Sequence, residues 1–182
     1  MSQRDSGYER KERDLYETPE WVTLALRPHL PREPFIVWEP ACGSGKMVRA
    51  LEQGASLVHG TDIESGIDFL TSDVPTVYGT WDAVITNPPY KQACEFISRA
   101  MEVMEPFAGM VAMLLRTDFD HAESRRDMFD RRGHSESRFY KKVVLTRRIR
   151  WFEDSTGSPS FNHAWFIWDW KHTGPPTLAY GP

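Results

Sequence analysis

The sequence predicts an α/β fold of three layers, with a mostly parallel central sheet and an antiparallel end towards the C-terminus. Phe35 to Trp38, Trp81 to Thr86 and Met110 to Leu115 are short apolar runs without strict alternation, the pattern of strands covered on both faces. Helical segments from Lys46 to Gln53 and from Gln92 to Met104 separate them, which makes parallel pairing the expectation. The last strand-like pieces, near Val143 to Phe152 and Ala164 to Trp170, have no long helix between them, so an antiparallel pair should close the sheet.

In chain order, residues 1–13 read as a flexible polar tail and 14–182 as one domain. Thr18 can cap a first helix, with Pro19 at its first position and Glu20 just behind, and Pro28 and Pro31 end it. The Phe35 to Trp38 strand runs into Glu39-Pro40-Ala41-Cys42-Gly43-Ser44-Gly45, a turn whose glycines let the chain reverse before the Lys46 helix. Gly54 stops that helix. A second strand, Ser56 to Thr61, delivers Asp62 at its end. The third, ending at Thr86, leads directly into Asn87-Pro88-Pro89-Tyr90. A charged helix is expected from His121 to Arg131, and Ser155-Thr156-Gly157-Ser158-Pro159 joins the last two strands. Right-handed crossovers would place the loops after Trp38, Thr61, Thr86 and Leu115 on one sheet edge.

A chain of 182 residues suits a single well-buried core, and 40% hydrophobic with 26% charged residues is ordinary for a soluble protein. No run approaches a membrane span, and the polar N-terminus lacks the pattern of a secretory leader. Cys42 and Cys94 have no paired metal-ligand spacing, and neither is assigned a redox task; a reducing, cytoplasmic setting is expected. The net charge of −4 is unevenly spread. Arg116 to Arg150 holds eleven Lys or Arg against six Asp or Glu, whereas the rest holds eleven against twenty. That segment could meet a polyanion, or it could be a solvated helix and hairpin of mixed charge.

The glycine turn reads as a small-molecule site. Met47 stands where a phosphate loop needs a hydroxyl, and Val48 where a dinucleotide loop needs its third glycine. Glu39 beneath the turn suits an ammonium or sulfonium better than a pyrophosphate. Asp62 can accept both hydroxyls of a ribose, or simply cap a turn. Asp68 could receive an adenine amine with Phe69 covering the ring; equally, Phe69 is core and Asp68 a cap.

Asn87-Pro88-Pro89-Tyr90 carries the chemistry. Proline after a strand holds Asn87 extended, and the Asn87 side-chain oxygen and the Pro88 carbonyl can receive two hydrogens of one planar amine. Such an amine is a poor nucleophile because its lone pair is delocalised. Two acceptors aligned with its N–H bonds favour a tetrahedral nitrogen and strengthen as positive charge develops there. Tyr90 can stack on the ring that bears the amine.

Taken together, these residues resemble the amino-methyltransferase branch of the S-adenosylmethionine-dependent, Rossmann-like methyltransferases, and are most similar to phage-type DNA N6-adenine methyltransferases. Glu39 to Gly45 looks like the family's cofactor loop, Asp62 its ribose-binding acid, Asp68-Phe69 its adenine-side segment and Asn87 to Tyr90 its catalytic motif. Asp14-Leu15-Tyr16-Glu17-Thr18-Pro19 resembles the segment that folds over the cofactor's methionine end. The resemblance implies S-adenosylmethionine bound by Tyr16, Thr18, Glu39, Ala41, Gly43, Gly45, Asp62, Ile63, Asp68, Phe69 and Asn87. It implies Asn87, Pro88, Pro89 and Tyr90 at the acceptor, and no metal. The catalytic motif is shared with RNA adenine and protein glutamine methyltransferases, while the N-terminal segment favours DNA. A silent nucleic-acid-binding module on the same fold is the reading from another class.

No large target-recognition region is evident, so loose sequence preference, homo-oligomerisation or an accessory specificity partner is expected. Candidate phosphate contacts are Arg116, Arg125, Arg126, Arg131, Arg132, Lys141, Lys142, Arg147 and Arg148, of which only some can share a face. Asp118 could shape the acceptor pocket or cap a turn. Trp151, Trp165, Trp168 and Trp170 could stack bases, although Trp168 and Trp170 alternate as a packed sheet face does. His163 has no evident partner in sequence and reads as structural.

Overall fold

The structure, a computed structural model, describes residues 16–32, 34–76, 79–130, 138–151, 159 and 161–182. Residues 1–13, expected as a tail, together with Asp14, Leu15, Arg131, Arg132, Phe152 and the Ser155 to Ser158 connection lie outside the described residues. Among the described residues seven strands form one sheet: β1 Ile36–Glu39, β2 Leu57–Gly60, β3 Ala83–Thr86, β4 Met110–Arg116, β5 Phe139–Leu145, β6 His163–Asp169 and β7 Thr177–Gly181. Their order is β2-β1-β3-β4-β6-β5-β7. β2, β1, β3 and β4 pair in parallel, β6 runs antiparallel to both β4 and β5, and β7 lies parallel to β5. A single reversed strand therefore makes the antiparallel end.

Side-chain alternation along the strands creates two cores, one on each face. Val84, Val111, Met113, Phe166 and Trp168 point to the face covered by α3 (Ala93–Met104), whose Phe96, Ile97, Ala100 and Met104 pack against them. Ala83, Ile85, Ala112, Leu114 and Trp165 point the other way, against Val22 and Leu26 of α1 (Glu20–Leu26) and Met47 and Leu51 of α2 (Lys46–Leu51). Trp165, far from solvent, donates its indole N–H to the Val22 carbonyl at 2.9 Å and so ties α1 to the sheet. Trp168 donates likewise to Met128 O at 2.8 Å. These two tryptophans are core, not base-stacking surface.

Four expectations need correction. The cap of α1 is Pro19, without a side-chain hydrogen bond, and Thr18 is buried instead. The charged helix expected from His121 is broken: 3-10 turns at Phe119–His121 and Glu123–Arg125 precede α4 (Arg126–Phe129), because Ala122 is extended. Burial decides this. Phe119 and Phe129 both turn onto Phe166, at ring separations of 6.0 and 5.8 Å, which a continuous solvated helix would not allow. β5 begins at Phe139, ahead of the expected Val143, and a register irregularity between Phe139 and Lys141 conceals its alternation. Finally, β7 is an edge strand that the glycines and prolines of the tail hid, its Leu178 and Tyr180 facing solvent.

Gly109, just before β4, is sterically required. A Cβ there would stand 2.8 Å from the Asp82 carbonyl oxygen and collide with the Met104 methyl. Gly109→Ala should destabilise the fold by about 1–3 kcal/mol, the cost of overpacking, measurable as a lower urea midpoint with an unchanged m-value.

Candidate active site

β1 has β2 on one side and β3 on the other, so the chain leaves it in both directions and opens a cleft at the strand ends. The walls come from four segments: residues 16–18, the turn after β1, the turn after β2, and the exit of β3 with the start of α3. The free volume within the cleft is about 160 Å³.

The turn after β1 is built around two left-handed glycines, Gly43 (φ 49°) and Gly45 (φ 80°). Gly45 does not line the cleft; it receives Arg49 N–H at 3.0 Å and is the N-cap of α2. Gly43 lines it and donates its N–H to Asp62 Oδ2 at 2.8 Å. Asp62 Oδ1 accepts from Glu64 N–H at 2.9 Å, and Ser65 completes a capping box. Thus Asp62 is a turn-capping residue and a cleft residue at once. Each of its oxygens keeps a lone pair for a ligand hydroxyl. Ala41, Ile63, Tyr16 and Thr18 also line the cleft, and Ile63 offers its side chain at 65% exposure, unusual for isoleucine.

Glu39, only 1% exposed, sits at the floor. Its Oε1 accepts the Thr86 hydroxyl at 2.6 Å and the Ala41 N–H at 3.3 Å. Burial pushes its carboxyl up to about 7, outweighing those two hydrogen bonds, and Asp62 adds a smaller push. Burial, with help from the same two acids, raises the Cys42 thiol to about 11, which leaves it protonated and inert. Glu17, Asp62, Glu64 and Asp68 join Glu39 along the cleft against one cation, Lys46. Asp68 Oδ1 accepts Leu70 N–H at 3.0 Å, capping its own turn, and Phe69 is buried between Trp38 and Phe96, each ring 5.1 Å away. Both border the cleft, so Phe69 can present little more than an edge to it.

At the β3 exit, Asn87 lines the same cleft. Its Nδ2 donates to the Tyr16 carbonyl at 3.1 Å, which fixes the amide and ties the N-terminal segment to this exit. Its Oδ1 is buried and has no hydrogen-bond partner. Pro89 borders the cleft; Pro88 is buried and does not, nor does Tyr90. The Tyr90 ring instead stacks on His163, 5.9 Å away at 25°. His163 is 2% exposed, and burial, then Arg116, depress its imidazole to about 4 against the opposing pull of Asp118. Trp151 meets His163 edge-on at 5.3 Å and Tyr16 at 5.4 Å.

Sequence reasoning missed Thr86, Gln92, Phe96 and this His163–Trp151 pair. The position of Thr86, just before Asn87, was the available signal for the first; the others depend on contacts between distant segments. The basic segment is largely occupied with internal contacts. Lys142 donates to Thr117 O and to both Asp120 oxygens at 2.8–3.0 Å, Arg126 pairs with Asp130, and Arg116 pairs with Asp118 while lying 4.1 Å from the centre of the Phe161 ring. Asp118 makes no capping bond. Arg125 covers Phe119 and Arg147 covers Trp21, at 4.2 and 4.9 Å. Among the described residues there is no cluster of three or more potential metal ligands, and no helix is long and apolar enough to cross a membrane.

No protein-family model matches the sequence, and no curated protein matches it either. Solved structures do. The chain superposes on the methyltransferase subunit of a type I restriction-modification system from Streptococcus thermophilus with a TM-score of 0.57 at 14% identity, covering 88% of this chain and 45% of that one. For a dimethyladenosine transferase from Plasmodium falciparum the TM-score is 0.55 at 15% identity, over 85% of this chain and 62% of that one. A candidate hemolysin from Lactococcus lactis gives 0.57 at 15% identity, over 93% of both chains. The chain thus spans about half to three-fifths of the two transferases. At these identities the likeness shows the fold, the Rossmann-like α/β arrangement of methyltransferases, and nothing about the reaction.

Proposed function

We propose that the chain binds S-adenosylmethionine in this cleft and methylates the exocyclic amine of adenine in DNA. The observation that carries the reading is Asn87 Oδ1, a buried acceptor without a partner among the described residues, on a side chain that borders an acidic cleft. Leaving such a group unpaired costs about 1–3 kcal/mol, an expense that a substrate amine would remove.

The residues present fit the cofactor. Five carboxylates against one ammonium favour a cationic ligand over a pyrophosphate. Asp62 would hold the ribose diol, Ile63 and Asp68 the adenine ring, and Glu39, Thr18 and Tyr16 the methionine end, all of them cleft-lining residues. When bound, S-adenosylmethionine supplies a methyl group on a sulfonium that leaves as a neutral thioether. The chain's own part is to bind, orient and polarise. Asn87 Oδ1 and the Pro88 carbonyl receive the two amine hydrogens, and the Tyr16 carbonyl prevents the Asn87 amide from flipping. The transfer would leave the acceptor nitrogen positive, with sulfur taking the electron pair of the broken C–S bond, until one proton passes to water. Both acceptors strengthen as that nitrogen becomes positive, so they lower the barrier. A base in duplex DNA must first be flipped out.

The Tyr16 ring at the cleft, backed by Trp151 at 5.4 Å, favours a flat base over a glutamine carboxamide, and the likeness of residues 14–19 to phage-type enzymes favours DNA over RNA. Transfer of tritiated methyl to duplex DNA, structured RNA and protein separates these acceptors: label in DNA is expected, and label confined to RNA or protein would overturn the assignment. A silent module would bind DNA but show neither cofactor heat nor product.

Glu39 gives a pH signature. A cationic ligand favours its ionised form, so binding should release a proton from a carboxyl that titrates near 7. Affinity for S-adenosylmethionine should rise towards neutral pH, by up to about tenfold per unit on the acidic side of 7, and Glu39→Gln should flatten the profile. Calorimetry in buffers of different ionisation heat reads the proton directly; identical heats would reject this. For folding the sign is opposite: the raised carboxyl contributes stability below its unfolded value and loses it as pH passes through 7.

A further inference from the structure

The β3 exit is enclosed by a closed circuit of contacts. Asn87 holds the Tyr16 carbonyl, the Tyr16 ring meets Trp151, Trp151 meets His163 edge-on, and His163 stacks on Tyr90, three residues beyond Asn87. Four separate segments thus meet through these contacts at the β3 exit. Among these residues His163 is anomalous. It is 2% exposed, yet its Nδ1 is buried without a hydrogen-bond partner. A phenyl ring could stack on Tyr90 as well without that cost. Asn87 Oδ1 is in the same condition. Two unpaired polar atoms thus belong to one ring of contacts, and their chemistry differs. Asn87 Oδ1 can only accept, whereas a neutral imidazole can donate from Nδ1. The depressed imidazole is neutral at physiological pH, so it adds no cation beside a nitrogen that must become positive.

We propose that His163 is a specificity-determining residue of the acceptor site, its Nδ1–H donating to the ring nitrogen adjacent to the amine that Asn87 receives. This rests on the adenine reading above. Adenine offers such a nitrogen on either side of its amine, N1 and N7, whereas a glutamine carboxamide offers none. His163 would then read the heteroaromatic ring while Asn87 reads the amine. A site with a buried donor of this kind rejects analogues that lack the acceptor.

The test is a cycle between protein and base. Wild type, His163→Phe and His163→Asn are assayed on oligonucleotides carrying adenine, 1-deazaadenine, 7-deazaadenine or 3-deazaadenine at the methylated position. kcat and KM are measured separately, and binding of each oligonucleotide without cofactor is followed by anisotropy. Phenylalanine keeps the ring and removes Nδ1; asparagine restores a donor near the Nδ1 position. For wild type, kcat/KM should fall on the order of tenfold or more with one of the 1-deaza and 7-deaza bases. His163→Phe should be equally slow on adenine and insensitive to that same change, and His163→Asn should regain part of the discrimination. The 3-deaza base, altered away from the amine, should cost all three proteins alike. Independent, multiplicative losses for both 1-deaza and 7-deaza bases would overturn the proposal and leave His163 a packing residue. Failure of wild type to methylate the adenine control would reject the function itself, a distinct outcome.

Discussion

Asn87→Ala should lose about 10²–10³ in kcat while binding S-adenosylmethionine within a few-fold of wild type. Two features of the site separate these effects. The Oδ1 that the substitution removes has no partner in the protein, so no intramolecular bond is lost with it. The Nδ2 bond to Tyr16 O does disappear, and with it one link between the N-terminal segment and the β3 exit. That single bond contributes on the order of 1 kcal/mol, far less than the loss expected in the transition state, where the Oδ1 contact strengthens as the acceptor nitrogen gains charge. Single-turnover kinetics with saturating cofactor isolate the chemical step. A slow step with normal cofactor affinity supports the assigned role; a weakened cofactor with normal chemistry would assign Asn87 to binding instead.

Asp62→Ala should act in the opposite order, weakening cofactor binding by about 10- to 100-fold, the range of a lost charge-assisted hydrogen bond, with kcat at saturation nearly unchanged. The carboxylate does two things at once. It secures the glycine turn through Gly43 N–H and the following helical turn through Glu64 N–H, and it offers its remaining lone pairs to the cleft. Asp62→Asn retains one carbonyl oxygen and should fall between wild type and alanine. Titration calorimetry gives the dissociation constants. Equal affinity in all three proteins would mean that the cleft holds its ligand elsewhere and that Asp62 only shapes the loop.

What was legible in the sequence was local. β1, β3 and β4 announced themselves because buried parallel strands are uniformly apolar, and the glycine turn and Asn87 to Tyr90 because their function depends on consecutive residues. β7 was hidden because an edge strand has one free side and needs little hydrophobic patterning; only Ala179 of its central three residues turns inward. Lys141 and Lys142 disguised β5, since their place in a strand makes sense only once Asp120 is known to receive the Lys142 ammonium. The same holds for the site. Glu39 to Thr86 spans 47 residues and Asn87 to Tyr16 spans 71, so neither pairing has a sequence signature. His163 read as structural because Tyr90 and Trp151 reach it only across the folded sheet end.

The most direct test of amine methylation is the identity of the methylated nucleoside. Duplex DNA incubated with the protein and labelled S-adenosylmethionine, digested to nucleosides and resolved by mass spectrometry, should yield label in N6-methyldeoxyadenosine, with Asn87→Ala yielding little. Label on a ring carbon, or equal yields from the two proteins, would contradict an oxygen pair at the β3 exit as the device that activates the acceptor.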